Sequence, residues 1–153
     1  MKLKTGLLLL SLTGALSAHA VTLNTDALKS MQEEGHKIVA ESQGARSFKS
    51  VGGHCLDSAG KALLVKNCSD QSAGQKWHFD DKQRLVAHDG RCVGGNAQLQ
   101  NCGGAPALQW QLDGKGRLAN GAGKCLQPQG NAPKAGAKVN AMACDGSPQQ
   151  VWK

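Results

Sequence analysis

From residue 46 onward the apolar residues come in short pieces, such as Ala62-Leu63-Leu64-Val65 and Arg84-Leu85-Val86-Ala87, each bounded by Gly, Asp or Asn. Pieces of this length without a helical period read as strands separated by turns. Asp89-Gly90 is the strongest turn signal, because glycine accepts the positive φ that a tight hairpin needs; Gly52-Gly53 and Ala122-Gly123 occupy equivalent places. Residues 25 to 43 carry a different pattern. Leu28, Met31, Ile38 and Val39 fall near one face at helical spacing, Thr25 or Asn24 can cap, and Asp26 lies in the first turn. A short amphipathic helix, interrupted on its apolar face by Gly35, is predicted there. Its acids Asp26, Glu33, Glu34 and Glu41 are balanced by Lys29 and Lys37, with Arg46 and Lys49 just beyond, which fits a membrane-surface helix poorly. Packing against the strand-rich part is the expectation; docking to a partner and a mobile leader are the alternatives.

The strand-rich part repeats itself. Cys55-Leu56-Asp57, Cys92-Val93-Gly94 and Cys125-Leu126-Gln127 each lead, through a second cysteine, to a tryptophan: Trp77, Trp110 and Trp152. Between the second and third copies, Trp77, Asp80, Arg84, Leu85, Gly90 and Cys92 recur as Trp110, Asp113, Arg117, Leu118, Gly123 and Cys125, all displaced by 33 residues. Gly53 and Phe48 take the places of Gly90 and Leu85 in the first copy, so the repeats begin near Arg46. Such a period announces one supersecondary unit used three times. The tryptophans are the expected core anchors, since one large ring supplies apolar area that a short unit otherwise lacks.

The first 20 residues read as an export signal: Lys2 and Lys4 at the start, an apolar stretch from Thr5 to Leu16, and Ala18-His19-Ala20 as a cleavage signature. The stretch is too short to span a bilayer. Cleavage before Val21 leaves a 21–45 extension and a 46–153 domain, and export implies a secreted or periplasmic protein. Without Lys2 and Lys4 the formal charge falls from +7 to +5, and the remaining cations are scattered rather than clustered. Nucleic-acid binding is therefore not expected.

Six cysteines in an exported chain read as three disulfides. Each unit holds two, and equivalent units close in equivalent ways, which predicts Cys55 with Cys68, Cys92 with Cys102, and Cys125 with Cys144. No Cys-x-x-Cys pair is present, and no metal site or cofactor is expected. Catalysis is not expected either. His54, His78 and His88 have no nucleophile at motif spacing, Ser147 lacks the Gly-x-Ser-x-Gly elbow, and Asp80 and Asp81 are adjacent and so diverge on a strand.

Three units of Cys-Leu-Asp type, each with a second cysteine, and the closing Gln75-Lys76-Trp77 and Gln150-Val151-Trp152 resemble the ricin B-type lectin family over residues 46 to 153. The resemblance implies an all-β fold, a β-trefoil of three pseudo-symmetric repeats, here preceded by the signal peptide and the short helix. It also implies a shallow sugar site per repeat. Each site would use an aspartate two residues after the first cysteine, a glutamine and an aromatic platform before the second, and an Asn-Gln pair leading to the tryptophan. Carboxylates and amides suit sugar hydroxyls, and a ring suits the apolar sugar face.

No copy is complete. The first keeps Asp57 and Gln75, with Leu64 at the glutamine position, Lys66 at the platform and Gly74 at the asparagine. The second keeps Gln98 but has Gly94, Gln100, Ala107 and Leu108 at the others. The third offers a neutral set: Gln127, Asn140, Met142, Gln149 and Gln150. The carbohydrate-binding residues expected are thus Asp57, Lys66 and Gln75, and Gln127, Asn140, Gln149 and Gln150. With no tyrosine and the tryptophans assigned to the core, only Phe79 and the histidines remain as exposed rings, and hydrogen bonds alone bind a hydrated sugar weakly. The expected function is an exported, non-catalytic carbohydrate-binding module with weak glycan affinity. The alternative is a protein-interaction trefoil, such as a toxin accessory subunit or an inhibitor-like binder.

Overall fold

The structure, a computed structural model, describes residues 25–42 and 44–153, without the side chains of residues 36–42. The expected signal peptide, the cleavage point before Val21, the Asn24 cap and the side chains of Ile38 and Val39 lie outside the described residues. Helix α1 spans Thr25–Ser42. The expected packing of its apolar face is not what the structure has at the described positions. Leu28 is 50 % exposed and Met31 68 % exposed.

Ten strands follow: β1 (Cys55–Ala59), β2 (Ala62–Lys66), β3 (Trp77–Phe79), β4 (Leu85–Ala87), β5 (Cys92–Val93), β6 (Leu99–Gln100), β7 (Trp110–Leu112), β8 (Leu118–Asn120), β9 (Lys124–Pro128) and β10 (Val139–Ala143). They form antiparallel sheets ordered β1-β2, β3-β4-β5-β6 and β7-β8-β9-β10. The three hairpins whose first strand carries a first cysteine, β1-β2, β5-β6 and β9-β10, meet through bridges Ala62 to Gln98 and Leu64 to Lys138. In the first repeat, residues 46–50 do the work of β4 and β8: Lys49 bridges Cys55 and Ser50 bridges Trp152. The C-terminal end is thereby sewn to the start of the domain, with Lys49 and Lys153 exchanging both backbone hydrogen bonds at 2.7 and 2.8 Å. This is the β-trefoil.

Each repeat is anchored in the same way. A turn of 3₁₀ helix (Ala73–Gln75, Pro106–Leu108, Pro148–Gln150) delivers a tryptophan into the core. Trp77, Trp110 and Trp152 are at most 2 % exposed. Their indole nitrogens donate to the carbonyls of Leu56, Val93 and Leu126 at 3.0, 2.9 and 3.0 Å, in each case the residue after the first cysteine. A buried indole N–H needs a partner, and the repeat supplies the same one three times. Phe48, Leu56, Leu63, Leu85, Leu118 and Leu126 fill the space among the rings. The three cysteine pairs form as expected.

Two turns show why spacing survived between copies. Asp80 accepts from the backbone of Lys82 and Arg84 and from the Arg84 guanidinium; Asp113 does the same with Lys115 and Arg117. The ion pairs close at 2.6 and 2.7 Å. Burial raises the Asp80 carboxyl, and the hydrogen bonds and charge of Arg84 outweigh it, leaving the group below its ordinary value of 3.8. Asp80 is thus a turn-forming residue, and Asp81 is exposed beside it.

Candidate functional site

The first-repeat set is drawn together and then covered. Asp57 pairs with Leu64 across the β1-β2 hairpin, and Lys66, two residues further along β2, shares their face. Lys66 folds down so that its ammonium lies 3.0 Å from Asp57 Oδ1. Gln75 Nε2 and Ser72 Oγ donate to Oδ2 at 3.1 and 3.4 Å. Asp57 is only 2 % exposed. A Cβ on Gly74 would stand 3.1 Å from Asp57 Oδ1, so glycine at this position lets the chain close over the carboxylate. Both carboxylate oxygens are used inside the protein.

Gln75, also 2 % exposed, is a clamp rather than a surface amide. It donates to the Asn67 carbonyl at 2.9 Å as well as to Asp57, and accepts from the Ser69 amide at 2.9 Å, gripping the chain on both sides of Cys68. Gln150, fully buried, repeats this pattern. Its Nε2 donates to Gln127 Oε1 at 3.1 Å and to the Ala143 carbonyl at 2.8 Å, and its Oε1 accepts from the Asp145 amide at 3.1 Å, on both sides of Cys144. These two glutamines orient the residue two places after the first cysteine. They do not reach solvent.

The second repeat has exchanged this polar clamp for packing. Leu108 takes the glutamine position and is buried against Val86 and Cys92. A Cβ on Gly94 would overlap Gln100 Oε1 and stand 3.0 Å from Asn96 Oδ1, so Gln100 fills the space an aspartate would need. Gln98 is exposed.

The third repeat alone keeps an open face. Gln127 pairs directly with Asn140 across β9-β10, and Met142 pairs with Cys125, so Gln127, Asn140 and Met142 stand on one side of the hairpin. Met142 is 49 % exposed and carries no donor that could fold down onto Gln127 as the Lys66 ammonium does onto Asp57. The bond from Gln150 holds the Gln127 oxygen inward and turns its amide nitrogen outward. Asn140 is exposed and Gln149 half-buried, and neither side chain has a hydrogen-bond partner among the described residues. The face therefore presents three neutral amides around a thioether.

The rings are elsewhere. Phe79 packs edge-on to Phe48 with centroids 6.2 Å apart, and the Arg46 guanidinium lies over both. His78 is buried in β3, where desolvation lowers its pKa despite the opposing charge of Asp80. No aromatic platform is exposed among the described residues, and these hold no cluster able to bind a metal ion. The roles of Gln100 and Ser72 were not legible in the sequence, since a covering side chain leaves no motif.

This architecture defines a ricin-type lectin fold. The family model of the ricin-type β-trefoil lectin domain matches residues 45–152, and the chain belongs to that family. No curated protein is significantly similar to it in sequence. Among solved structures it is similar to the C-terminal half of an earthworm R-type lectin in complex with GalNAc, at 18 % identity and a TM-score of 0.62, covering 70 % of this chain and 94 % of that one. It is also similar to the designed threefold-symmetric protein ThreeFoil, at 23 % identity and a TM-score of 0.59, covering 72 % and 96 %. The β-trefoil lectin of the Vibrio vulnificus hemolysin/cytolysin with N-acetyl-D-lactosamine bound matches at 21 % identity and a TM-score of 0.56, covering 71 % and 91 %.

Proposed function

We propose that the protein is an exported, non-catalytic carbohydrate-binding module that holds a neutral glycan on its third repeat. The observation that carries this reading is the contrast at the platform position. Lys66 and Gln100 fold over the first and second sites, whereas Met142 leaves Gln127, Asn140 and Gln149 open. Gln127 Nε2 donates to a sugar hydroxyl, Asn140 and Gln149 donate or accept beside it, and the Met142 side chain packs against the apolar face of the ring. Amides exchange water for hydroxyls at small net gain, and a thioether replaces the usual ring, so affinity for a single sugar is millimolar. The apolar leader, the cleavage signature and the three disulfides support export to the periplasm or beyond.

A glycan array probed with the protein, expressed for export with its disulfides formed, tests this. Neutral glycans give signal, and Gln127→Ala removes it; silence at high protein density contradicts the reading. One observation favours a second reading, a protein-interaction trefoil: two of the three faces are filled by the protein's own side chains. On that reading the array is silent.

A further inference from the structure

The trefoil has three equivalent junctions where one repeat hands over to the next. At each, a tryptophan amide donates to the carbonyl of the residue two places before a core apolar residue: Trp77 to Arg46, Trp110 to Gln83 and Trp152 to Gly116, at 2.9, 2.7 and 2.7 Å. The residues preceding these tryptophans are Lys76, Gln109 and Val151. Each junction has been furnished differently. At the first, Arg46 lies over the rings of Phe48 and Phe79. The third is packed shut, since a Cβ on Gly116 would stand 3.1 Å from the Trp152 carbonyl and 3.3 Å from Val151 Cγ1.

The middle junction is open and lined with amides. A shallow cleft of about 110 Å³ is lined by Gln83, Gln109, Trp110, Gln111, Asn120 and Gly121. Asn120 is a fixed wall: its Nδ2 donates to the Ala107 carbonyl and its Oδ1 accepts from the amides of Ala122 and Lys124. Gly121 brings bare backbone to the rim, where a Cβ would stand 2.8 Å from the Pro106 carbonyl. The side chains of Gln83, Gln109 and Gln111 are exposed and have no hydrogen-bond partner among the described residues. Gln83 also holds a φ of +58°, a conformation that favours glycine and that Gly116 supplies at the equivalent turn. Strain kept at a position where glycine would relieve it points to a use for the side chain.

We propose that this cleft is a second glycan site, independent of the third-repeat face, in which Gln83, Gln109 and Gln111 bind hydroxyls of a neutral saccharide. The three free amides present donors and acceptors without charge, and this matches hydroxyls better than an ionic ligand. The inference rests on reading the chain as a glycan binder, and two sites on one domain would let weak individual contacts add through a branched or repeating glycan.

The test is a titration of the ¹⁵N-labelled protein with N-acetyllactosamine, following side-chain amide signals by NMR. Wild type is expected to show shifts at Gln83, Gln109 and Gln111, and these persist in Gln127→Ala. The double variant Gln83→Gly with Gln109→Val copies the closed Gly116 and Val151 junction. It is expected to melt at or above the wild-type temperature and to lose the Gln111 shift. Shifts confined to Gln127, Asn140 and Gln149 overturn the second site and leave the third-repeat reading standing. Absence of shifts at both places overturns both.

Discussion

Asp57 sits with Lys66 on one carboxylate oxygen and Gln75 and Ser72 on the other. In that setting its replacement is a stability experiment. Asp57→Ala deletes three hydrogen bonds to a carboxylate, one of them also an ion pair, and is expected to cost about 2 kcal/mol in urea unfolding while glycan binding persists. Gln127→Ala reverses the balance: it removes one half-buried acceptor for Gln150 and lowers glycan affinity roughly tenfold or more, read by array or titration. His78 makes a pH prediction. Burial holds its pKa below the ordinary 6.5, so the folded state resists protonation. Its contribution is fully present above pH 6.5 and is lost as pH falls through the lowered value; Asp80 and Asp89, held below 3.8 by Arg84 and Arg91, add a second loss only below that pH. Melting temperatures from pH 8 to pH 3 should fall in two steps, and His78→Gln should remove the first. The sequence names Asp57, Gln75 and Gln127 as important but not in which direction each faces, because facing depends on whether a long neighbour such as Lys66 folds back.

The Cys-to-Trp unit is the element that the chain states most openly, since it must satisfy a disulfide, a positive-φ glycine and an indole hydrogen bond together. Gly53, Gly90 and Gly123, at φ of +83°, +81° and +73°, carry the hairpin turns expected from the sequence. The middle unit is the informative one to break. Its Cys92 to Cys102 bridge spans 10 residues and has no glutamine clamp beside it. Cys92→Ala with Cys102→Ala is expected to cost about 3 kcal/mol by loop entropy, measured by urea unfolding. Helix α1 makes the opposite case. Its existence is legible from capping and period, but its packing is not, because an amphipathic stripe says that a face is apolar without saying what covers it. With Leu28 and Met31 exposed, removal of residues 21–44 is expected to leave the melting temperature of the trefoil unchanged. A fall of several degrees would mean that the helix packs after all.

At the scale of the molecule, symmetry is kept where burial enforces it and lost where solvent tolerates variety. The three tryptophans and their carbonyl partners superimpose in role, so a unit used three times is legible from their spacing, while the β-trefoil itself follows from the resemblance of those units to a known family. The three faces and three junctions do not: one face is salt-bridged, one filled, one open. Surface positions carry little folding energy, so drift or selection can refurnish them without a trace in the period. Everything proposed for the molecule turns on whether the open face of the third repeat binds a neutral glycan. A crystal structure of the protein soaked with N-acetyllactosamine addresses it most directly. The expected result is a sugar ring against Met142, with hydroxyls on Gln127 and Asn140 and with Lys66 still paired to Asp57. A sugar held by Asp57 with Lys66 displaced, or a bare third repeat, would contradict it.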